Sequence, residues 1–184
     1  MKNKRSFINK RSDSVKERAG FARAGFFSIL VLSLLLLQAG YVRAAAVEDR
    51  APGFNLETLD GTQVAYDDIR GNKPLFIVFW ATWCPVCKEE VPALKSLYDQ
   101  FKERGLEFLA VNVGINDSAK KAGRYVEKYG ITYPVAFDNG SAVTKKYGVM
   151  GTPTIVIVDK GGTIRYFSAA VPTDLGDHFD SLMQ

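Results

Sequence analysis

Both cysteines of the 184-residue chain stand in one short segment, Cys84-Pro-Val-Cys87, where an apolar run gives way to a helical pattern. A spacer of two residues lets the sulfurs meet across one helical turn. The free N–H groups and the positive dipole end of a helix start also stabilise a thiolate. The spacing and the position together predict a reversible dithiol/disulfide pair.

Two other kinds of site use the same spacing. A zinc site needs four ligands, and beyond this pair the chain has no cysteine and a single histidine, His178. A purely structural disulfide would fit an exported protein, but a loop closed by so few residues removes little entropy from the unfolded chain. The redox pair is therefore the favoured hypothesis, with these two as alternatives.

The elements on either side of the motif are a strand and a helix. Residues 74–80 read Pro-Leu-Phe-Ile-Val-Phe-Trp, which is typical of a strand buried on both faces. Residues 85–104 follow a helical pattern in which Pro92 predicts a kink, and Gly105 ends it. The motif is thus expected at a strand-to-helix junction.

The remaining pattern alternates strands with helices. Asp60-Gly61 predicts a two-residue turn in an N-terminal hairpin that adds to the main sheet. Further strands are expected at 106–113, 133–137, 152–159 and 163–167, and helices at 116–129, 141–147 and 173–183. This order favours an α/β sandwich around a mixed sheet.

The N-terminal segment has the pattern of an export signal. Eight basic residues precede position 24, and an apolar run occupies 26–37. The small residues at 44–46 suit cleavage, whereas the 19 uncharged residues from Ala24 to Val42 nearly span a membrane. We expect a signal peptide or, by preference, an uncleaved signal anchor with a short linker over 1–46, and one domain over 47–184.

The basic character of the whole chain comes from this segment. Residues 1–43 hold nine of the 24 basic residues and two of the 20 acidic ones, so the remainder has a net charge near −3. The sequence therefore gives no reason to expect nucleic-acid binding.

The motif and its surroundings carry a family resemblance. In the run Phe79-Trp-Ala-Thr-Trp-Cys-Pro-Val-Cys-Lys88 the chain resembles the TlpA/ResA-like thiol-disulfide oxidoreductases, which are AhpC/TSA-related redoxin domains of the thioredoxin superfamily. The resemblance extends over residues 50–168 through further motifs: Ala51-Pro-x-Phe-x-Leu, Asp60-Gly61, Val111-Asn-Val-Gly114, Tyr129-Gly-Ile-Thr-Tyr-Pro134 and Tyr147-Gly-Val-x-Gly-Thr-Pro-Thr154. It implies a thioredoxin fold, with a central mixed β-sheet flanked by helices, an N-terminal β-hairpin and an inserted strand-helix element within 116–147.

The resemblance also implies roles for individual residues. Cys84 would be the exposed attacking thiol, and Cys87 the more buried, resolving one. Pro153 matches the family's cis-proline, which places the backbone of Thr152 beside the sulfurs for pairing with a substrate strand. Trp83 is expected to shield Cys84, although an aromatic residue at a strand end is more often core.

Two further positions concern proton transfer. Glu90 matches an acidic residue that lies near the second cysteine in ResA-like members and is thought to tune its protonation, and its neighbour Glu89 serves as a comparison. Val78 departs from thioredoxin, which has a buried aspartate at this position. An apolar side chain cannot relay a proton, so Glu90 or water would do so.

The implied activity is reduction of disulfides in exported proteins, such as apocytochrome c during cytochrome c maturation, without a cofactor or metal. The electrons would come from a membrane donor of the CcdA/DsbD type, and the protein would lie at the outer face of the bacterial cytoplasmic membrane or in the periplasm. The alternatives are an oxidant or isomerase, and a copper-handling module similar to the Sco family, which uses two thiolates and a distal histidine. The one histidine of this chain, His178, falls in a predicted helix near the C-terminus, where a surface position is expected rather than a ligand position. A peroxiredoxin is disfavoured because position 81 is Ala where that chemistry needs Thr or Ser.

Overall fold

A computed structural model describes residues 45–184. The predicted signal or anchor lies outside these residues. Within them, no helix is both long and apolar enough to cross a membrane. The strands are β1 Asn55–Glu57, β2 Gln63–Ala65, β3 Leu75–Trp80, β4 Glu107–Asn112, β5 Val135–Phe137, β6 Thr154–Val158 and β7 Ile164–Ser168. The α-helices are α1 Tyr66–Ile69, α2 Pro85–Phe101, α3 Ala119–Tyr129, α4 Ala142–Lys146 and α5 Leu175–Leu182.

A five-stranded mixed sheet forms the centre of the described fold, in the order β5-β4-β3-β6-β7. The strand that precedes the cysteines, β3, is its middle strand, parallel to β4 and antiparallel to β6. All six residues of β3 are buried, as a strand covered on both faces requires. The predicted α/β architecture with a mixed sheet is therefore confirmed, and the redox motif follows the middle strand of the sheet.

The N-terminal hairpin forms, but it differs from the prediction in two respects. Thr58 N–H donates to the carbonyl of Thr62 (2.9 Å), so the loop has three residues, with Gly61 at φ 90°. The strands β1 and β2 make a separate two-stranded sheet instead of extending the main one. Only the loop end joins the main sheet, where Leu59 N–H donates to the carbonyl of Val135 (2.7 Å).

The helices follow the predicted order. Helix α2 runs through Pro92 without a break and continues as a 3-10 turn that ends at Gly105, whose φ of 94° suits glycine. Ser118 caps α3 by accepting from Lys121 N–H (3.2 Å). Between β4 and β6 lie α3, β5 and α4, which is the inserted strand-helix element that the family resemblance implies.

Candidate redox site

The two cysteines form a disulfide at the start of α2. Their sulfurs are 2.10 Å apart and their Cα atoms 5.3 Å apart. Cys84 is the N-cap residue of the helix and Pro85 follows it at the first helical position. The N–H of Cys87 points at the Cys84 sulfur (3.1 Å), so the sulfur replaces the usual hydroxyl or carboxylate cap. After reduction, the same N–H and the helix dipole would stabilise a thiolate on Cys84.

The expected difference in exposure between the cysteines is wrong for this disulfide form. Cys84 is 3% exposed and Cys87 is 5% exposed, so neither is open to solvent. Cys84 is covered because the loop before β6 lies directly on it. If the two cysteines divide the roles of attacking and resolving thiol as expected, the surroundings of each sulfur must distinguish them, because exposure does not.

The loop that covers Cys84 contains Thr152 and Pro153, joined by a cis peptide bond as the family resemblance implies. The carbonyl oxygen of Thr152 lies 3.4 Å from the Cys84 sulfur. A disulfide sulfur carries no proton, so this is a polar contact here, whereas a thiol at Cys84 could donate to the same oxygen. The predicted position of the Thr152 backbone beside the sulfurs is confirmed.

Trp83 lies on the surface next to the disulfide. Its side chain is exposed, at 51%, and its indole N–H donates to the carbonyl of Ile115 (2.7 Å). The interpretation of Trp83 as a core residue is therefore wrong. Trp83 and Cys84 line the same surface depression, with Trp83 held in place by the loop after β4.

An aspartate that the sequence analysis did not single out holds the segment before Cys84. The Asp117 carboxylate accepts from the backbone N–H of Thr82 (2.8 Å), from its hydroxyl (3.0 Å) and from the side-chain amide of Asn112 (2.9 Å). Burial raises the pKa of this carboxyl, but the hydrogen bonds from Asn112, Thr82 and Ser118 outweigh burial and leave the pKa below its usual value. The sequence analysis placed Asp117 only at the start of the helix predicted over 116–129. Its contact with Thr82 joins residues 35 positions apart, which no local pattern reveals.

The Cys87 side of the site is apolar apart from one carboxylate. Glu90 is half-buried and lines, together with Cys87 and Pro153, an internal cavity of about 10 Å³, roughly the size needed for one water. Glu89 is exposed and lies outside this cavity. Val78 is 1% exposed and forms part of the wall, so the buried position that departs from thioredoxin is apolar in the fold as well. Glu90 and Cys87 therefore lie close enough to share one small cavity.

The alternative hypothesis of a metal site finds no cluster of ligands among the described residues. Within 45–184, no three His, Cys, Asp or Glu side chains cluster as metal ligands would. His178 is an exposed residue of α5, and its ring nitrogen lies 3.4 Å from the Asp174 carboxylate. It therefore has the surface position that the sequence predicted.

Comparisons with known proteins agree with this geometry. The AhpC/TSA family matches residues 47–167. The thiol-disulfide oxidoreductase ResA of Geobacillus thermodenitrificans is 34% identical over 164 residues, covering 83% of this chain and 92% of the relative. ResA of Bacillus subtilis is 32% identical over 153 residues, covering 81% and 84%. The thioredoxin domain of a thiol-disulfide oxidoreductase from Bacteroides vulgatus superposes with a TM-score of 0.66 at 23% identity, covering 77% of this chain and 100% of that one.

The structural likeness supports the thioredoxin fold, and the sequence relatives carry the activity. The disulfide at the helix start, with the cis-proline loop against it, is the arrangement on which such an activity depends. The chain belongs to the AhpC/TSA family and, within it, to the TlpA/ResA-like thiol-disulfide oxidoreductases.

Proposed function

We propose that this protein is an exported reductase of protein disulfides. The observation that carries the proposal is the Cys84 sulfur, which caps α2 and lies beside the Thr152 carbonyl. A thiolate there has a donor to stabilise it and a neighbouring backbone on which an extended substrate segment can align.

The exchange follows from this arrangement. The Cys84 thiolate attacks one sulfur of a substrate disulfide, which forms a mixed disulfide and releases one substrate thiolate. The Cys87 thiolate then attacks the Cys84 sulfur, which forms the intramolecular disulfide and releases the second substrate thiolate. The substrate gains two electrons and the cysteine pair loses two. Glu90, in the cavity that it shares with Cys87, would accept the proton that the Cys87 thiol gives up.

The setting of the reaction rests on the N-terminal sequence and on the chemistry. The basic and apolar segment before residue 43 supports export, with the domain at the outer face of the bacterial cytoplasmic membrane or in the periplasm. Such a compartment has no reducing thiol pool, so each cycle needs two electrons from a membrane donor of the CcdA/DsbD type. The proposed substrates are disulfides of exported proteins such as apocytochrome c.

The deciding experiment is the equilibrium reduction potential of the Cys84-Cys87 pair. The full-length protein is equilibrated in defined thiol buffers, and Trp83 fluorescence or thiol alkylation reports the fraction reduced. A value near or below about −250 mV would support a dedicated reductant, while one above about −150 mV would identify an oxidant or isomerase and contradict the proposal.

A further inference from the structure

Beside the disulfide lies a basic groove between α2 and α3. Its walls carry four cationic side chains, Lys88, Lys121, Arg124 and Lys128, together with Cys84 and Tyr129. Its volume is about 320 Å³, and none of its lining residues is acidic. Residues 44–184 have a net charge near −3, so this concentration of positive charge runs against the balance of the domain.

The four cations are available to a ligand. None of them forms an ion pair with another residue in the described range 45–184. Asp117, the carboxylate that contacts the groove-lining Thr82, accepts hydrogen bonds from Thr82 and Asn112. Burial raises the pKa of Tyr125, which also lines the groove, to about 12, so its hydroxyl stays neutral. The groove therefore presents four cations that no ion pair among the described residues neutralises.

The ring of Tyr129 contacts two of these cations. The ammonium groups of Lys88 and Lys128 lie 5.8 and 5.4 Å from the centre of the Tyr129 ring, within the range of cation–π attraction. Tyr129 and Lys88 also line an adjoining depression of about 370 Å³, which extends the groove to Lys95. The cations thus follow a continuous path along the two helices, starting at the disulfide.

We propose that the basic groove binds an acidic segment of the partner protein, next to the cysteine that exchanges with Cys84. This inference rests on the proposed function and names the chemistry of its substrate. Cys84 and Pro85 form part of the groove wall, so a chain lying in the groove passes next to the cysteine that is proposed to exchange. A flat anionic membrane on the same cations would cover the disulfide and block exchange, which favours a polypeptide as the occupant.

The test compares synthetic peptides that share one Cys-x-x-Cys disulfide and differ in their flanks, which are four aspartates, four asparagines or four lysines. The reduced full-length protein is mixed with each peptide, and stopped-flow tryptophan fluorescence gives the rate constant. We expect the aspartate peptide to react about tenfold faster than the lysine peptide at low salt. In 0.5 M salt the preference should fall to about twofold, because salt screens exposed charges.

Two triple variants test whether the groove cations cause the preference for the aspartate peptide. Lys121→Gln/Arg124→Gln/Lys128→Gln removes three groove cations, while Lys120→Gln/Lys145→Gln/Lys160→Gln removes three cations that do not line it. The change in net charge is identical. We expect the groove variant to lose the preference for aspartate and the control variant to keep it. Equal loss in both, or retention in both, would place the effect in the overall charge or in the basic N-terminal segment and would overturn the proposal.

Two further outcomes would contradict either the groove proposal or the reductase function. Binding of phosphatidylglycerol vesicles that falls in the groove variant alone, with no peptide preference in the wild type, would identify a membrane surface and overturn the proposal. If the protein oxidises the dithiol peptides instead of reducing their disulfides, the reductase function fails. The preference is then measured in the oxidising direction, so the groove inference stands or falls separately.

Discussion

The two sulfurs of the redox pair are almost equally buried but have different chemical surroundings. The Cys84 sulfur meets a backbone N–H and a carbonyl oxygen, and its residue lines a groove with four cations. Cys87 faces a small apolar cavity whose only carboxylate belongs to Glu90. After reduction, these surroundings would stabilise a thiolate at Cys84 and disfavour one at Cys87. The comparison supports the proposed division into an attacking and a resolving thiol through the polarity around each sulfur, because the two are almost equally buried.

The largest expected effect comes from removing each sulfur in turn, which tests whether the two cysteines have different roles. We expect Cys84→Ser to abolish exchange, because the stabilised nucleophile is lost, and Cys87→Ser to accumulate mixed disulfides, because nothing resolves them. Non-reducing electrophoresis after acid trapping measures both. Full turnover by Cys87→Ser without a trapped partner would reverse the assignment of roles.

A second prediction concerns the segment that presents Cys84. We expect Asp117→Asn to lower the free energy of unfolding by about 1–2 kcal/mol near neutral pH, because an amide cannot accept all the hydrogen bonds from Thr82 and Asn112. Since the folded-state pKa of Asp117 is depressed, its contribution is present above the unfolded pKa of about 3.9 and is lost as the pH falls through the folded pKa.

Urea unfolding of wild type and variant from pH 7 down to pH 3 measures this effect. The stability difference should stay constant above about pH 5 and shrink below about pH 4. Glu127→Gln, at an exposed position of the neighbouring helix, is the matched control and should leave stability nearly unchanged. A pH-independent difference for Asp117→Asn would show that its charge has no part in holding the segment.

The third and smallest effect is expected on the Cys87 side. Glu90→Gln should slow turnover by up to about tenfold and alter its pH profile, because the amide cannot take up the proton from Cys87. Glu89→Gln, which changes an exposed neighbour, should leave both unchanged. The rate of Cys87 alkylation against pH separates a proton-transfer role from a structural one. Identical profiles for the two variants would leave the cavity without a role for Glu90.

Local patterns predicted much of the fold because they report local causes. The apolar run ending at Trp80 predicted the central strand, and the pattern over 116–129 predicted α3, which Ser118 caps and Gly130 ends at a φ of 57°. The turn at Asp60-Gly61 was placed correctly, but its length was wrong. Thr58 and Asp60 bond with Thr62 and hold a three-residue loop, and the dipeptide alone does not specify that network.

For the candidate site, the sequence predicted which residues take part better than it predicted their exposure. The motif and the family resemblance identified Cys84, Cys87, Thr152 and Pro153, and the structure brings all four together. The exposure of Cys84 was wrong because it depends on a loop nearly 70 residues away. The alternative of a core position for Trp83 was also wrong, because a hydrogen bond to the Ile115 carbonyl holds its indole at the surface.

The redox chemistry, the family and the order of elements could be read from the sequence alone. The spacing of the two cysteines and the change from a strand pattern to a helix pattern are properties of neighbouring residues, so they can be recognised without the fold. Only the tertiary structure decided what surrounds each sulfur. The packing of strands and helices brings together Asp117 and Thr82, Glu90 and Cys87, and the cations of α2 and α3 that line one groove. Contacts between residues far apart in the chain form only when the strands pair and bury their apolar faces, so no local pattern contains them.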